Sequence, residues 1–314
     1  MSLFAPSYYL NFRCIAGDCR HSCCIGWEID IDPKTLSKYR ALPPKERKQI
    51  LAHTVTEKGT TSFRLAAEDR CPFLTKAGLC QLILTHGDGI LCDICREHPR
   101  FYNHFSDRTE VGVGLCCEEA ARLILTNKTP FELIELETSA VNNSLMPFPD
   151  PFEEDFFQAR AELFALLTNR AQSLQARIDA IICRYKLDAD SIYRNDAQWQ
   201  TIYRDLERLD PAWDAALDAW EASSNEPAWQ NEIAAEQLIA YFLYRHLADS
   251  VEEDDWEARI SFALLSTHVI CTIAATKGGD PLATLIDTAR AYSAEVEYNE
   301  DAVALILNKL GRID

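Results

Sequence analysis

Four cysteines stand within eleven positions near the start of the chain: Cys14, Cys19, Cys23 and Cys24. A thiolate is a soft, strong metal ligand, and thiols packed this densely can face one centre. Six more follow by position 117, namely Cys71, Cys80, Cys92, Cys95, Cys116 and Cys117. Whether such thiols pair as disulfides or bind metal depends on the compartment. Met1–Leu10 has neither the basic start nor the apolar run of a secretory leader. No segment reads as the ~18 uninterrupted apolar residues of a membrane span. The sequence therefore predicts a cytoplasmic protein without a membrane partner. Thiols stay reduced there, and crowded cysteines read as ligands.

Spacing adds detail. Cys92 and Cys95 have the two-residue gap that lets both sulfurs bind one ion. Cys71–Cys80 reads as a knuckle turning at Lys76-Ala77-Gly78. A strand over 110–115 would deliver Cys116 and Cys117 to the start of a helix over 118–125, where backbone N–H groups favour thiolates. Zinc takes four ligands in a tetrahedron, and an iron–sulfur cluster also uses four thiolates. Ten thiols suffice for two zinc sites, or for one 4Fe-4S cluster with thiols to spare. His21, His98 and His104 are further candidate ligands, although thiols already fill the count, and His98 and His104 read as surface residues or supports for the ligands. Arg96 and Arg100 flank the Cys95 loop. They are placed to hydrogen-bond a cluster sulfur or a carboxylate, or to pair with Asp30, Asp32 or Glu97.

The pattern predicts a mainly α fold in two domains. Residues 1–141 form a small cysteine-rich, metal-binding domain with short strands, and 142–314 an acidic, all-helical one. Trp27–Ile31 alternates apolar and acidic residues as a short strand does. The aromatic segment 4–12 is expected to pack under the first cysteine loop. Asp32-Pro33 is a helix start, with Asp as cap and Pro at the first helical position. A second helix is expected over 44–52 and a strand over 60–65. Residues 142–150 read as a linker. Beyond it, helical spacing predicts helices near 153–170, 172–186, 196–209, 229–248, 254–276, 280–293 and 299–310. Cys183 and Cys271 sit in apolar helical runs and read as inert core residues.

Charge is unevenly divided. Residues 1–130 hold 17 basic and 15 acidic side chains, a net of +2, so the residues beyond them carry −20 and the whole chain −18. A field that negative argues against nucleic acid and suits a lysine-presenting protein partner, or is simply solvated surface.

Several ordered stretches carry a resemblance. They are Phe-Arg-Cys through Cys-Cys to Trp at 12–27, Cys-Pro-Phe-Leu to Leu-Cys at 71–80, Cys-Arg-Glu-His-Pro-Arg at 95–100, and Leu-Cys-Cys-Glu-Glu-Ala-Ala-Arg at 115–122. Fainter likeness continues at 236–249 and 292–299. Together they resemble the flagellin lysine-N-methylase family and, more loosely, small cysteine-rich zinc- or iron-chelating proteins. The resemblance implies transfer of methyl groups from S-adenosylmethionine to surface lysines of flagellin. It also implies a metal centre of Cys14, Cys19, Cys23, Cys24, Cys71, Cys80, Cys95 and Cys117, with Cys92 and Cys116 outside the pattern. No glycine-rich Rossmann turn is evident, Gly112-Val-Gly114 being a weak candidate. The methyl donor is therefore expected beside the metal centre, helped by Trp27, Arg96 and Arg100. Asp30, Asp32 and Tyr102 are the candidate acceptors of the lysine proton. The competing reading is a zinc-stabilised protein-binding module, or a metal-chelating protein, without catalysis.

Overall fold

The computed structural model describes residues 2–136, 151–194, 196–221, 229 and 231–311. The chain divides into two compact units. One joins Met1–Phe12 to Phe101–Asp314, and the other is Arg13–Arg100. The cysteine-rich unit is thus an insertion into the larger one. The linker expected at 142–150 lies outside the described residues.

Strand β1 (Ser2–Pro6) opens the larger unit. The inserted unit then contains α1 (Pro33–Ala41), α2 (Pro44–Leu51), a hairpin of β2 (Thr54–Glu57) and β3 (Thr60–Phe63), and two short helices, α3 (Gln81–His86) and α4 (Asp93–Glu97). Asp32 caps α1 as its sequence position predicts, accepting from the Thr35 N–H at 2.8 Å. The Trp27–Ile31 stretch is not a continuous strand. Ile31 N–H donates to Thr61 O and Phe63 N–H to Ile29 O, two isolated ladder bonds that bury Ile29 and Ile31 against the hairpin. The unit's core is small: Tyr39, Ile50, Phe63, Phe73, Leu82 and Ile90 close around Cys71 and Cys92.

The larger unit resumes with β4 (Arg100–His104) and β5 (Arg108–Val113), then α5 (Glu118–Thr126) and β6 (Leu133–Leu136). These strands and β1 form a sheet in the order β4-β5-β1-β6. β1 runs parallel to β5, with Ser2 opposite Arg108, and antiparallel to β6. This pairing overturns the placement expected for the aromatic segment. Phe4 lies in β1, and Tyr8 and Phe12, beyond the strand, are buried in the core of the larger unit.

Helices fill the rest: α6 (Pro151–Leu167), α7 (Leu174–Tyr185), α8 (Asp196–Asp205), α9 (Ala212–Glu221), α10 (Glu232–His246), α11 (Ser250–Glu253), α12 (Trp256–Thr276), α13 (Pro281–Tyr292) and α14 (Glu300–Leu310). Side chains of Ser173, Asn231, Asp280 and Asn299 cap α7, α10, α13 and α14 by accepting the N–H three residues on. α9 is not foreseen by the sequence reading. α12 is the centre of the bundle, packed against α9, α10, α13 and α14. It is long and apolar enough to cross a membrane by length and composition, and 94% of that stretch is buried in the fold. Cys271 is buried on it, whereas Cys183 on α7 is exposed, contrary to its expected core position.

Charge is also buried here. Arg160 on α6 donates two hydrogen bonds, at 2.6 and 2.7 Å, to Glu110 on β5, with both side chains shielded from water. Arg170 and Arg177 both donate to Glu236 on α10, tying α7 to it. Removing one partner of a buried pair strands the other charge. Glu110→Ala is expected to cost about 3–5 kcal/mol of unfolding free energy in urea titrations. Arg184→Ala, which breaks an exposed pair with Glu162, should cost under about 1 kcal/mol. Equal losses in the two variants would contradict this assignment.

Candidate functional site

In the inserted unit the chain brings five thiols into mutual electrostatic reach: Cys24, Cys71, Cys80, Cys92 and Cys95. Local backbone bonds explain how. Cys71 N–H donates to Cys24 O at 2.8 Å, joining the first cysteine loop to the second. The 71–80 knuckle closes as expected, with Thr75 N–H on Leu79 O at 2.9 Å and a bridge from Leu74 to Cys80. The second carboxylate oxygen of Asp32 accepts from Asp93 N–H at 2.9 Å, so one aspartate fixes the starts of both α1 and α4. α4 then carries Cys95 beside Cys92.

The thiols titrate apart. A hydrogen bond from the Cys23 thiol pulls Cys24 down to about 7, against burial and with help from Ser22 and Arg70. Burial pushes Cys71 up to about 11 and raises Cys80 as well. Cys92 is lowered because the Cys95 thiol donates to it, and Cys95 is raised by that same bond and by burial. Cys24 and Cys92, the sulfurs that accept in the two bonded pairs, are therefore the more readily ionised. Among the described residues, no group of three or more His, Cys, Asp or Glu side chains is disposed to hold an ion as it stands. The donor set is nevertheless all sulfur, partly buried and already sharing protons, which fits a thiolate-bound centre. Cys92, which the family resemblance leaves out, belongs to this group. Cys14 and Cys19 lie in the loop before it, Cys14 Sγ accepting from Ala16 N–H and the Cys19 thiol donating to His21 O.

The other residues singled out from the sequence are spread over both units. Asp30 is exposed, with its backbone bridged to Ser62, and Asp32 spends both carboxylate oxygens on helix caps. Trp27 Nε1 donates to Cys23 O at 2.7 Å, and its ring lies 5.7 Å from that of His98. Arg96 pairs with Asp93 and Glu97, and Arg100 donates to Arg96 O. Tyr102 belongs to the larger unit, its ring stacked parallel to His104.

Cys116 and Cys117 also lie in the larger unit, in a setting that sequence reasoning missed. Glu297 is fully buried there, inside an irregular, wider helical turn over Ser293–Glu297. Arg245 Nε donates to it at 3.2 Å, Tyr241 OH donates at 3.0 Å, and His246 Nε2 lies 3.0 Å away. Burial opposes ionisation of Glu297, but Arg245 and these donors hold its pKa below the ordinary value. Burial lowers His246 despite Glu297, so the imidazole is neutral at pH 7. Arg245 lies 4.4 Å from the centre of the Tyr298 ring, and the Tyr298 hydroxyl is hydrogen-bonded to Cys116. A Cβ at Gly114 would overlap that hydroxyl and come within 2.9 Å of Arg245 Nη1, so glycine is needed for the close approach. Burial pushes Cys116 up to about 12. It is a thiol, and the thiolate expected at this helix start is overridden. The available signal was the 292–299 stretch, where two glutamates stand in an otherwise packed helical run. Beside this network opens a cleft of about 770 Å³, walled by β4, the end of α10, the 249–259 segment and α14.

The family model described as FliB lysine N-methylase C-terminal domain matches residues 113–313. The chain is 29% identical over 136 residues to proteins named Lysine-N-methylase from Salmonella choleraesuis (strain SC-B67) and Salmonella typhimurium (strain LT2), 41% of this chain and 34% of each relative. It is 26% identical over 136 residues to the Flagellar biosynthetic protein FliU of Salmonella muenchen, covering 41% of this chain and 80% of that protein. The chain thus spans about a third of the length of the two lysine-N-methylases. No solved structure matches.

The buried imidazole sets a pH dependence. His246 is lowered in the fold, whereas an unfolded histidine titrates near about 6.5. Unfolding therefore takes up a proton below that value, and stability falls as pH drops from about 6.5. Urea midpoints are expected to decline between pH 7 and pH 5.5, and to decline less in His246→Gln. An equally steep decline in the variant would contradict the buried, neutral imidazole.

Proposed function

Because the chain belongs to the FliB lysine N-methylase family, we propose that it is a protein-lysine N-methyltransferase. In this reading it moves methyl groups from S-adenosylmethionine to surface lysines of flagellin. The observation that carries the reading is the extent of the family match. Residues 113–313 take in most of the helical unit, including Gly114, Arg245 and Glu297. The names of the relatives add lysine methylation and a flagellar connection.

At neutral pH a lysine side chain is an ammonium ion without a free lone pair. Its proton must leave before nitrogen attacks the methyl carbon. As the N–C bond forms, the C–S bond breaks, and the electron pair stays on sulfur as S-adenosylhomocysteine departs. The chain's part is to hold the amine, accept the proton and keep water away. Tyr102, on the wall of the cleft, is the proton acceptor we favour. Asp32 is engaged as a double helix cap, and Asp30 stands in the inserted unit.

Four of Cys24, Cys71, Cys80, Cys92 and Cys95 would hold a 4Fe-4S cluster, or zinc, with Cys23 able to exchange with its neighbour. A cluster supplies redox-active iron, and zinc a closed structural cross-link.

The test is incubation of anaerobically prepared protein with methyl-labelled S-adenosylmethionine and flagellin, followed by peptide mass spectrometry. The expected result is label on flagellin lysines, absent when Cys24 and Cys71 are both changed to serine. Flagellin that is bound but never labelled would overturn the enzyme reading and leave a protein-binding module.

A further inference from the structure

The cleft of about 770 Å³ in the helical unit is unevenly charged. Asp249, Glu253 and Asp255 share a single counter-charge. Arg259 Nη1 donates to Asp249 at 2.9 Å, Nη2 to Glu253 at 2.7 Å and Nε to Asp255 at 2.6 Å. Arg259 Nη1 is also drawn to His246 O at 2.9 Å, and the side chain is nearly buried. One cation therefore faces three carboxylates, of which Asp249 and Glu253 remain well exposed. At the floor Arg245 cancels Glu297, and His246 is neutral. Glu300, at the start of α14, adds a further carboxylate. The cleft carries a clear excess of negative charge even after its internal pairs are counted.

Its remaining walls are not acidic. Val303, Ala304 and Leu307 line it along α14, and Phe101 and Tyr102 along β4. An apolar and aromatic wall beside a carboxylate rim matches a side chain with a hydrocarbon stem and a cationic head. The volume is larger than one such side chain needs, which suits a stretch of polypeptide lying across the opening.

We propose that this cleft receives the lysine-bearing segment of the protein acceptor. The ammonium lies among Asp249, Glu253 and Glu300, and the butylene stem runs along Val303, Ala304 and Leu307. The proposal rests on the methyltransferase reading for the identity of the acceptor. The binding chemistry itself needs only a primary ammonium on a peptide. Arg259 serves as a positioning residue, holding the three carboxylates at the rim without neutralising them.

The test is equilibrium binding of a fluorescein-labelled peptide containing two lysines, with the same peptide Nε-acetylated as control. The full chain is used, and uptake of labelled S-adenosylmethionine is measured in parallel. Wild type is expected to bind the lysine peptide, and to bind it less as salt is raised. It should ignore the acetylated peptide. The double variant Glu253→Gln/Glu300→Gln keeps side-chain shape and should lose about ten-fold in peptide affinity, with donor uptake unchanged. Equal affinity in variant and wild type overturns the proposal, as does equal binding of the acetylated peptide. Donor uptake that falls in step with peptide binding would reassign the cleft to S-adenosylmethionine. Selective peptide binding without methylation of flagellin would sink the enzyme reading and leave the cleft standing. Methylation with undiminished peptide affinity in the variant would do the reverse.

Discussion

The inserted unit closes its small core around sulfur. It runs from Arg13 to Arg100, somewhat above the ~70–80 residues below which a single core rarely supplies more than about 3–5 kcal/mol. Its helices are short, its only sheet among the described residues is a two-stranded hairpin, and two of its most buried side chains are Cys71 and Cys92. Placing thiols where leucines would ordinarily sit weakens the core unless the sulfurs are joined by something stronger. The proton sharing within Cys23–Cys24 and Cys92–Cys95 shows the same tension. Ionising the whole group without a cation would crowd negative charge into a half-buried space. A thiolate-bound ion or cluster, as proposed, would resolve both problems by cross-linking the first loop, the knuckle and α4 while neutralising the sulfurs.

The helical unit meets the opposite condition. α12 and its neighbours bury apolar surface on all sides, so the fold can carry charges in its interior. It spends them on three networks: Glu110 with Arg160, Glu236 with Arg170 and Arg177, and Glu297 with Arg245 and His246. The first two join elements of the fold. The third sits under the cleft. It also occupies a widened helical turn, a feature that recurs at functional sites. Glu297, Tyr298, Cys116 and the glycine at 114 form one contiguous set at the end of β5.

Much of this was legible in the residues. Asp32-Pro33 read correctly as a capped helix start, the Lys76-Ala77-Gly78 turn predicted the knuckle, and the long apolar periods beyond 229 located α10, α12, α13 and α14. What escaped was set by tertiary pairing. β1 has no alternating pattern to mark it, and both its neighbours in the sheet come from more than 100 positions away. α9 was lost in a stretch where alanines and aspartates blur the apolar face. Cys116 looked like a helix-start thiolate, but burial outweighs the favourable N–H groups. Asp32 reads as the cap of α1 alone, whereas its second oxygen also accepts from Asp93 N–H, 61 positions away, which local sequence cannot show. The Glu297 network was invisible because its members lie in three separate segments.

The account depends most on the five sulfurs acting as one inorganic centre. The direct measurement is the iron, zinc and acid-labile sulfide content of the chain purified without oxygen, for wild type and for Cys92→Ser. About four iron and matching sulfide per chain, with a brown colour, is the expected result for a 4Fe-4S centre, and stoichiometric zinc for the structural alternative. The Cys92→Ser chain should hold its metal more weakly. Colourless, metal-free protein that folds with an unchanged urea midpoint would contradict the account.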